Sequence, residues 1–164
     1  MDEADETQPP EEWFFYLLFQ TVRRRDLAFG AALEALGLNL PKWRALSVIS
    51  RLSGCTMNEL AEFTTIDRTT LTRTADQLIA AGLVSRGGAA GDRRIVRLEL
   101  TPQGEALFAR ALQAMQGFNR RALDGVSAAD QETLRAILCA VIGNITGSEE
   151  RAAAIAGMRR PGQA

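Results

Sequence analysis

Apolar and polar residues change their period twice between Thr56 and Arg86. Leu60 and Ala61 mark the inward side of a short helix from about Met57 to Phe63. The run Thr64-Thr65-Ile66-Asp67 interrupts it, and Leu71, Ala75 and Leu78 then recur at i, i+4 and i+7, the spacing of one helical face. Thr56 followed by Glu59 is a capping-box pattern, in which each side chain takes up the other's orphaned amide. Asp67 is placed to cap the second helix, and Gly82 to stop it. Beyond Gly82 the pattern turns extended. Leu83 to Arg86 predicts a short strand, and Gly87 to Asp92 a glycine-rich loop. From Arg94 to Leu100 the chain alternates, with Val96, Leu98 and Leu100 on one face and Ile95, Arg97 and Glu99 on the other.

Longer helices flank this segment. From Glu11 to Ala35, Phe15, Phe19, Val22, Phe29, Leu33 and Leu36 are candidates for burial. Trp13, Phe14, Phe15 and Tyr16 crowd one end of that helix with more aromatic surface than one face needs, which predicts a covering partner. Gly37 ends it. Leu40-Pro41 starts the next, carrying Trp43, Leu46, Val48, Ile49 and Leu52 to Ser53-Gly54. Thr101-Pro102 opens a helix with Phe108, Leu112, Met115, Phe118 and Ala122, broken at Asp124-Gly125. Ser127 with Asp130 caps a last one bearing Leu134, Ile137, Leu138, Val141, Ile142 and Ile145. The residues after Gly147 extend it as a frayed helix without an assigned role.

Two short helices and a tight turn make a helix-turn-helix, and the hairpin behind it a wing. The expected class is mainly α (α+β): a winged helix-turn-helix lobe at 40–101 with dimerisation helices at 12–36 and 104–147. Residues 1–11 read as an acidic disordered tail, 12–147 as one domain and 148–164 as a C-terminal tail. The outer helices hold more apolar surface than a lone winged helix requires, which predicts an obligate homodimer.

Net charge alters this picture only once it is located. The overall −1 hides an uneven distribution: residues 1–12 hold six carboxylates and no basic residue, so the rest of the chain carries +5. A basic body suits double-stranded DNA. With Leu71 facing inward, Thr69, Arg73, Asp76 and Ala80 point outward, flanked by Arg68, Thr70, Thr72 and Gln77. Recognition helices reach bases from their N-terminal turns, where arginine pairs with guanine and threonine methyls meet thymine. Arg68 and Arg73 are base or phosphate candidates; Thr69 and Thr70 divide between base edges and backbone. At the wing, Arg93 and Arg94 are further candidates, and Asp92 either orients an arginine or is an ordinary turn residue.

Several classes are excluded. The chain of 164 residues contains no histidine, which removes histidine-based triads and the usual zinc ligand sets. No phosphate-binding glycine loop or paired-carboxylate pattern is present, so no enzyme, cofactor or metal is expected. The apolar run Trp13 to Phe19 is far shorter than the roughly 20 residues that span a bilayer. Cys55 and Cys139 match no paired spacing, which predicts a soluble, cytoplasmic protein in a reducing compartment.

The segment from Glu59-Leu60-Ala61 through Asp92-Arg93-Arg94-Ile95-Val96-Arg97-Leu98-Glu99-Leu100-Thr101, then Pro102-x-Gly104, resembles the MarR family of bacterial winged-helix transcriptional regulators. Asp92-x-Arg94 with Leu100-Thr101 is similar to that family's D-x-R-x5-L-T wing signature. Thr65 departs from it, standing where such turns commonly carry glycine, and predicts a turn with different dihedrals. The resemblance implies that Arg94 enters the minor groove. It also implies repression relieved by a small effector, an aromatic or phenolic acid or an aryl-CoA thioester, bound between dimer helices and DNA-binding lobe. Candidate lining residues are Trp13, Tyr16, Phe19, Arg23, Trp43 and Arg44; the Arg23-Arg24-Arg25 run is either a solvated face or an anion contact. Two alternatives stay open: a winged helix that binds DNA or protein without reading sequence, and a thiol redox sensor using Cys55 or Cys139.

Overall fold

The computed structural model describes residues 10–89 and 92–158, with the backbone path alone at 10–12, 88, 89 and 92–95. Seven helices and one hairpin follow in the order α1 (Pro10–Glu34), α2 (Leu40–Arg51), α3 (Met57–Thr64), α4 (Arg68–Ala80), β1 (Val84–Ala89), β2 (Asp92–Leu100), α5 (Pro102–Ala122), α6 (Ala128–Thr146) and α7 (Glu149–Gly157). This is the mainly α winged helix-turn-helix arrangement that the periodicity predicts.

The caps are local chemistry, and they stand where the sequence places them. Thr56 and Glu59 form the reciprocal box, with the Thr56 amide donating to Glu59 Oε2 at 2.7 Å and the Glu59 amide to Thr56 Oγ1 at 3.2 Å. Asp67, Thr101 and Ser127 each accept an amide three residues on. Burial then orders these helices around one core. Phe29 and Leu33 of α1, Leu46 and Ile49 of α2, Leu60 of α3, and Leu71 and Leu78 of α4 are all within 1% of complete burial. Leu98 of β2 joins them, because the Cys55 and Leu98 backbones exchange hydrogen bonds of 2.8 and 3.0 Å. That bridge ties the wing to the segment entering α3.

Three expectations need correction. Thr65 does take the left-handed conformation, at φ 53° and ψ 26°, so the turn keeps its geometry despite a branched side chain. Its amide donates to the Ala61 carbonyl at 3.1 Å, and that closing bond holds it there. The wing strands run further into the glycine segment than composition suggests, with Gly87 opposite Arg97 and Gly88 opposite Val96. Val96 is consequently 53% exposed, since the hairpin projects past the core that covers Leu98. Finally, Phe15, Phe19 and Val22, read as candidates for burial, are exposed in the single protomer, and α6 has no buried residue; among the described residues α7 is the element that packs broadly on α6.

The tail beyond Gly147 is more ordered than a frayed extension. Gly147, at φ 66°, turns the chain, Ser148 caps α7, and Ala152 and Ala154 are buried as it folds back along α6. Arg151 then pairs with Glu62 of α3 at 2.8 Å. No helix among the described residues is long and apolar enough to cross a membrane.

Candidate nucleic-acid interface

The surface around α4 follows from how its inner face is satisfied. Leu71, Thr74, Ala75 and Leu78 are buried against the core, which fixes the helix about its axis. Arg68, Thr69, Thr72, Arg73, Asp76 and Gln77 are thereby left exposed, and Thr70 half-buried. The helical wheel drawn from sequence and the observed face agree. Among the described residues no carboxylate pairs with Arg68 or Arg73, so both guanidinium groups remain available to an anionic surface.

Asp67 prepares the N-terminus of that helix. Hydrogen bonds from the Thr70 side chain and then its amide hold the Asp67 carboxyl below the usual carboxylate range. A carboxyl whose pKa is lower in the folded chain stabilises it above the unfolded value and ceases to do so as pH falls through the folded value. Replacing Asp67 by Ala is therefore expected to lower the melting temperature at neutral pH. The gap to the parent protein should close as a titration of thermal unfolding passes below about pH 4.

The wing is joined to α4 by a contact that sequence reasoning missed. Arg86 of β1 donates to Asp76 of α4 at 2.7 Å, with both side chains more than half exposed. The signal was present in an outward acid on the helix and a base on the first strand. Their proximity required knowing how the hairpin folds back. The pair neutralises the one carboxylate that α4 turns towards solvent. Asp92, Arg93 and Arg94 lie at the distal end of β2, and their side chains fall outside the described residues.

Behind this surface a cavity of about 640 Å³ opens between α1, α2, α5 and the end of α3. Trp43 and Phe108 stack in its wall, with ring centres 5.4 Å apart and planes at 19°. Arg44 reaches across to the buried Asp26 at 2.6 Å, and Arg25 lies 3.4 Å from the same carboxylate. Thr64 and Thr65, at the turn before α4, also line it. Of the six effector candidates only Trp43 and Arg44 face this cavity. Trp13, Tyr16, Phe19 and Arg23 are exposed on α1, whose first half extends clear of the lobe. Asp26 and Arg51 are lining residues that the sequence did not single out, while Arg25, from the run read as a solvated face or an anion contact, and Phe108, read as part of a helical apolar stripe, line it as well. A more open groove of about 850 Å³ between α6 and α7 is walled mostly by alanine and glycine, and it touches no part of the helix-turn-helix.

Cys55 and Cys139 are not joined in a disulfide. Cys55 is completely buried beneath the wing, contrary to the exposed loop position that redox chemistry would need. Cys139 is half-buried on α6. Among the described residues no cluster of acidic and cysteine side chains is arranged to hold a metal ion.

Comparison with known proteins places this geometry. A model described as the MarR family matches residues 36–95, from the turn between α1 and α2 into the wing. A solved MarR-family transcriptional regulator from Silicibacter pomeroyi is 31% identical, with a TM-score of 0.74 over 82% of this chain and 91% of that one. The solved transcriptional regulator PA3341 is 30% identical, with a TM-score of 0.77 over 82% and 98%. The HTH-type transcriptional repressor Rv2887 of Mycobacterium tuberculosis is 28% identical over 123 residues, 75% of this chain and 88% of that protein.

Proposed function

The chain belongs to the MarR family of helix-turn-helix transcriptional regulators, and from that premise we propose that it is a repressor that reads a pseudo-palindromic operator as a homodimer and leaves it when a small aromatic acid or aryl-CoA thioester binds. The carrying observation is the outward face of α4, where Arg68, Thr69, Thr72, Arg73 and Gln77 lie together with unpaired arginines among the described residues. On this reading Thr70 secures the helix N-terminus, Arg93 and Arg94 approach the minor groove and Asp92 orients an arginine. Repression rather than activation follows the kind of protein that Rv2887 is named as.

Dimerisation is supported by what the protomer leaves uncovered. Trp13, Tyr16 and Phe19 on α1, with Leu134, Ile137 and Ile145 on α6, are each between 45% and 71% exposed. Covering what remains exposed of each side chain is worth about 1–2 kcal/mol, roughly half to two thirds of full burial, and the sum over both protomers favours association through residues 12–36 and 104–147. Two lobes at 40–101 then meet half-sites one helical turn apart. Sedimentation at micromolar concentration is expected to give twice the chain mass; a monomer would overturn this part.

An effector acts only through a difference in affinity between two spacings of the lobes. The inter-helix cavity offers a stacked indole and phenyl for a ring. It also offers Arg44, whose present partner is Asp26, for a carboxylate that competes with it. Selection of bound sequences from random DNA, repeated with aromatic acids and their CoA thioesters, tests the whole reading. A specific regulator keeps a ratio of roughly 10³ or more between operator and random DNA. A winged helix that ignores sequence shows no enriched site and loses nearly all binding with salt.

A further inference from the structure

The threonines of α4 differ in which half of the branched side chain the fold has already used. Thr70 is half-buried, and its amide donates to Asp67 at 2.9 Å at the helix cap. Thr74 donates to the Thr70 carbonyl at 2.8 Å and is buried. Thr72 is exposed, yet its hydroxyl donates to the Arg68 carbonyl at 2.8 Å, one turn back. Thr69 is exposed, and its hydroxyl has no hydrogen bond among the described residues.

A threonine β carbon carries one hydroxyl and one methyl, and in a helix only two side-chain rotamers escape the preceding turn. Committing the Thr72 hydroxyl to the helix backbone leaves the methyl as the group it presents to solvent. Thr72 stands one turn from Arg68 and Thr69, on the N-terminal half of α4 that reaches base edges. In the major groove the one apolar feature of a base pair is the C5-methyl of thymine. We infer that Thr72 is a specificity-determining residue that recognises a thymine methyl through its own methyl, while Thr69, with a free hydroxyl, makes the polar contact. This rests on the DNA-reading role proposed above and assigns a base and an atom to one position of it.

The probe is the duplex selected from random DNA by the unaltered protein, with each thymine replaced in turn by deoxyuridine, which lacks only the C5-methyl. One thymine per half-site is expected to be sensitive, its loss weakening binding roughly five- to tenfold. Thr72→Ser keeps the hydroxyl and loses the methyl, so it should bind the parent duplex less well and become indifferent to deoxyuridine there. Thr72→Val keeps the methyl and loses the hydroxyl, so it should remain sensitive. Thr69 should behave oppositely, tolerating serine and not valine. Affinity of each variant for random DNA reports whether it is folded. The inference is overturned if no thymine is sensitive, or if Thr72→Ser stays sensitive while Thr72→Val does not. If no duplex is selected at all, the functional reading falls with it.

Discussion

Replacing Gly104 by Ala is expected to destabilise the protein by about 3 kcal/mol, a fall of roughly 10 °C in melting temperature for a chain this long. Gly104 is buried in the first turn of α5, and a β carbon there would lie 1.9 Å from the Leu83 carbonyl oxygen and 2.9 Å from its carbon. Both are backbone atoms. They are held from the other side as well, because the Thr101 amide donates to that same Leu83 oxygen at 3.1 Å and the Thr101 hydroxyl to Gly82 at 2.6 Å. The methyl would therefore push α5 away from the end of α4 and break the clasp between lobe and outer helix. Gly30, in the interior of α1, is the control, since a β carbon there meets nothing within 4 Å. Gly30→Ala should be neutral or stabilise by about 0.5–1 kcal/mol through backbone entropy alone. Denaturant unfolding of the two variants measures both. Equal stabilities would mean that the approach of α5 to Leu83 is loose.

Arg73→Ala should leave the fold intact, because its side chain is exposed and no carboxylate pairs with it among the described residues. The loss appears on DNA. An arginine paired with guanine contributes about 1–3 kcal/mol of discrimination, so affinity for the operator should fall about 10- to 100-fold. Affinity for random DNA should change far less. A phosphate contact would behave differently, weakening both kinds of DNA alike and making binding less sensitive to salt. Quantitative binding to the selected duplex and to a random one, over a range of salt, separates these outcomes.

What the sequence made legible was local. Caps depend on residues three apart, which is why Thr56 with Glu59, Asp67, Thr101 and Ser127 all read correctly. The outward face of α4 followed from period alone, since Leu71, Ala75 and Leu78 settle its rotation. Juxtapositions over long stretches of chain were not legible. Asp26 meets Arg44 eighteen residues on, and Trp43 stacks on Phe108 from another helix, so the cavity had no signature of its own. Thr65 was misjudged because residue preference was weighed without the hydrogen bond that closes the turn. The aromatic end of α1 carries more apolar surface than one face needs, and Trp13, Phe15, Tyr16 and Phe19 are exposed in the protomer, but what would cover them is not written in their spacing. In each case the missing information was tertiary.

Protection of guanine N7 from methylation on the selected duplex tests most directly whether α4 of two protomers occupies successive major grooves, since that atom lies on the major-groove edge. Two clusters of protected guanines on one side of the helix, about 10 base pairs apart, are the predicted result. Protection of a single cluster, or unchanged reactivity at every guanine under saturating protein, would contradict it.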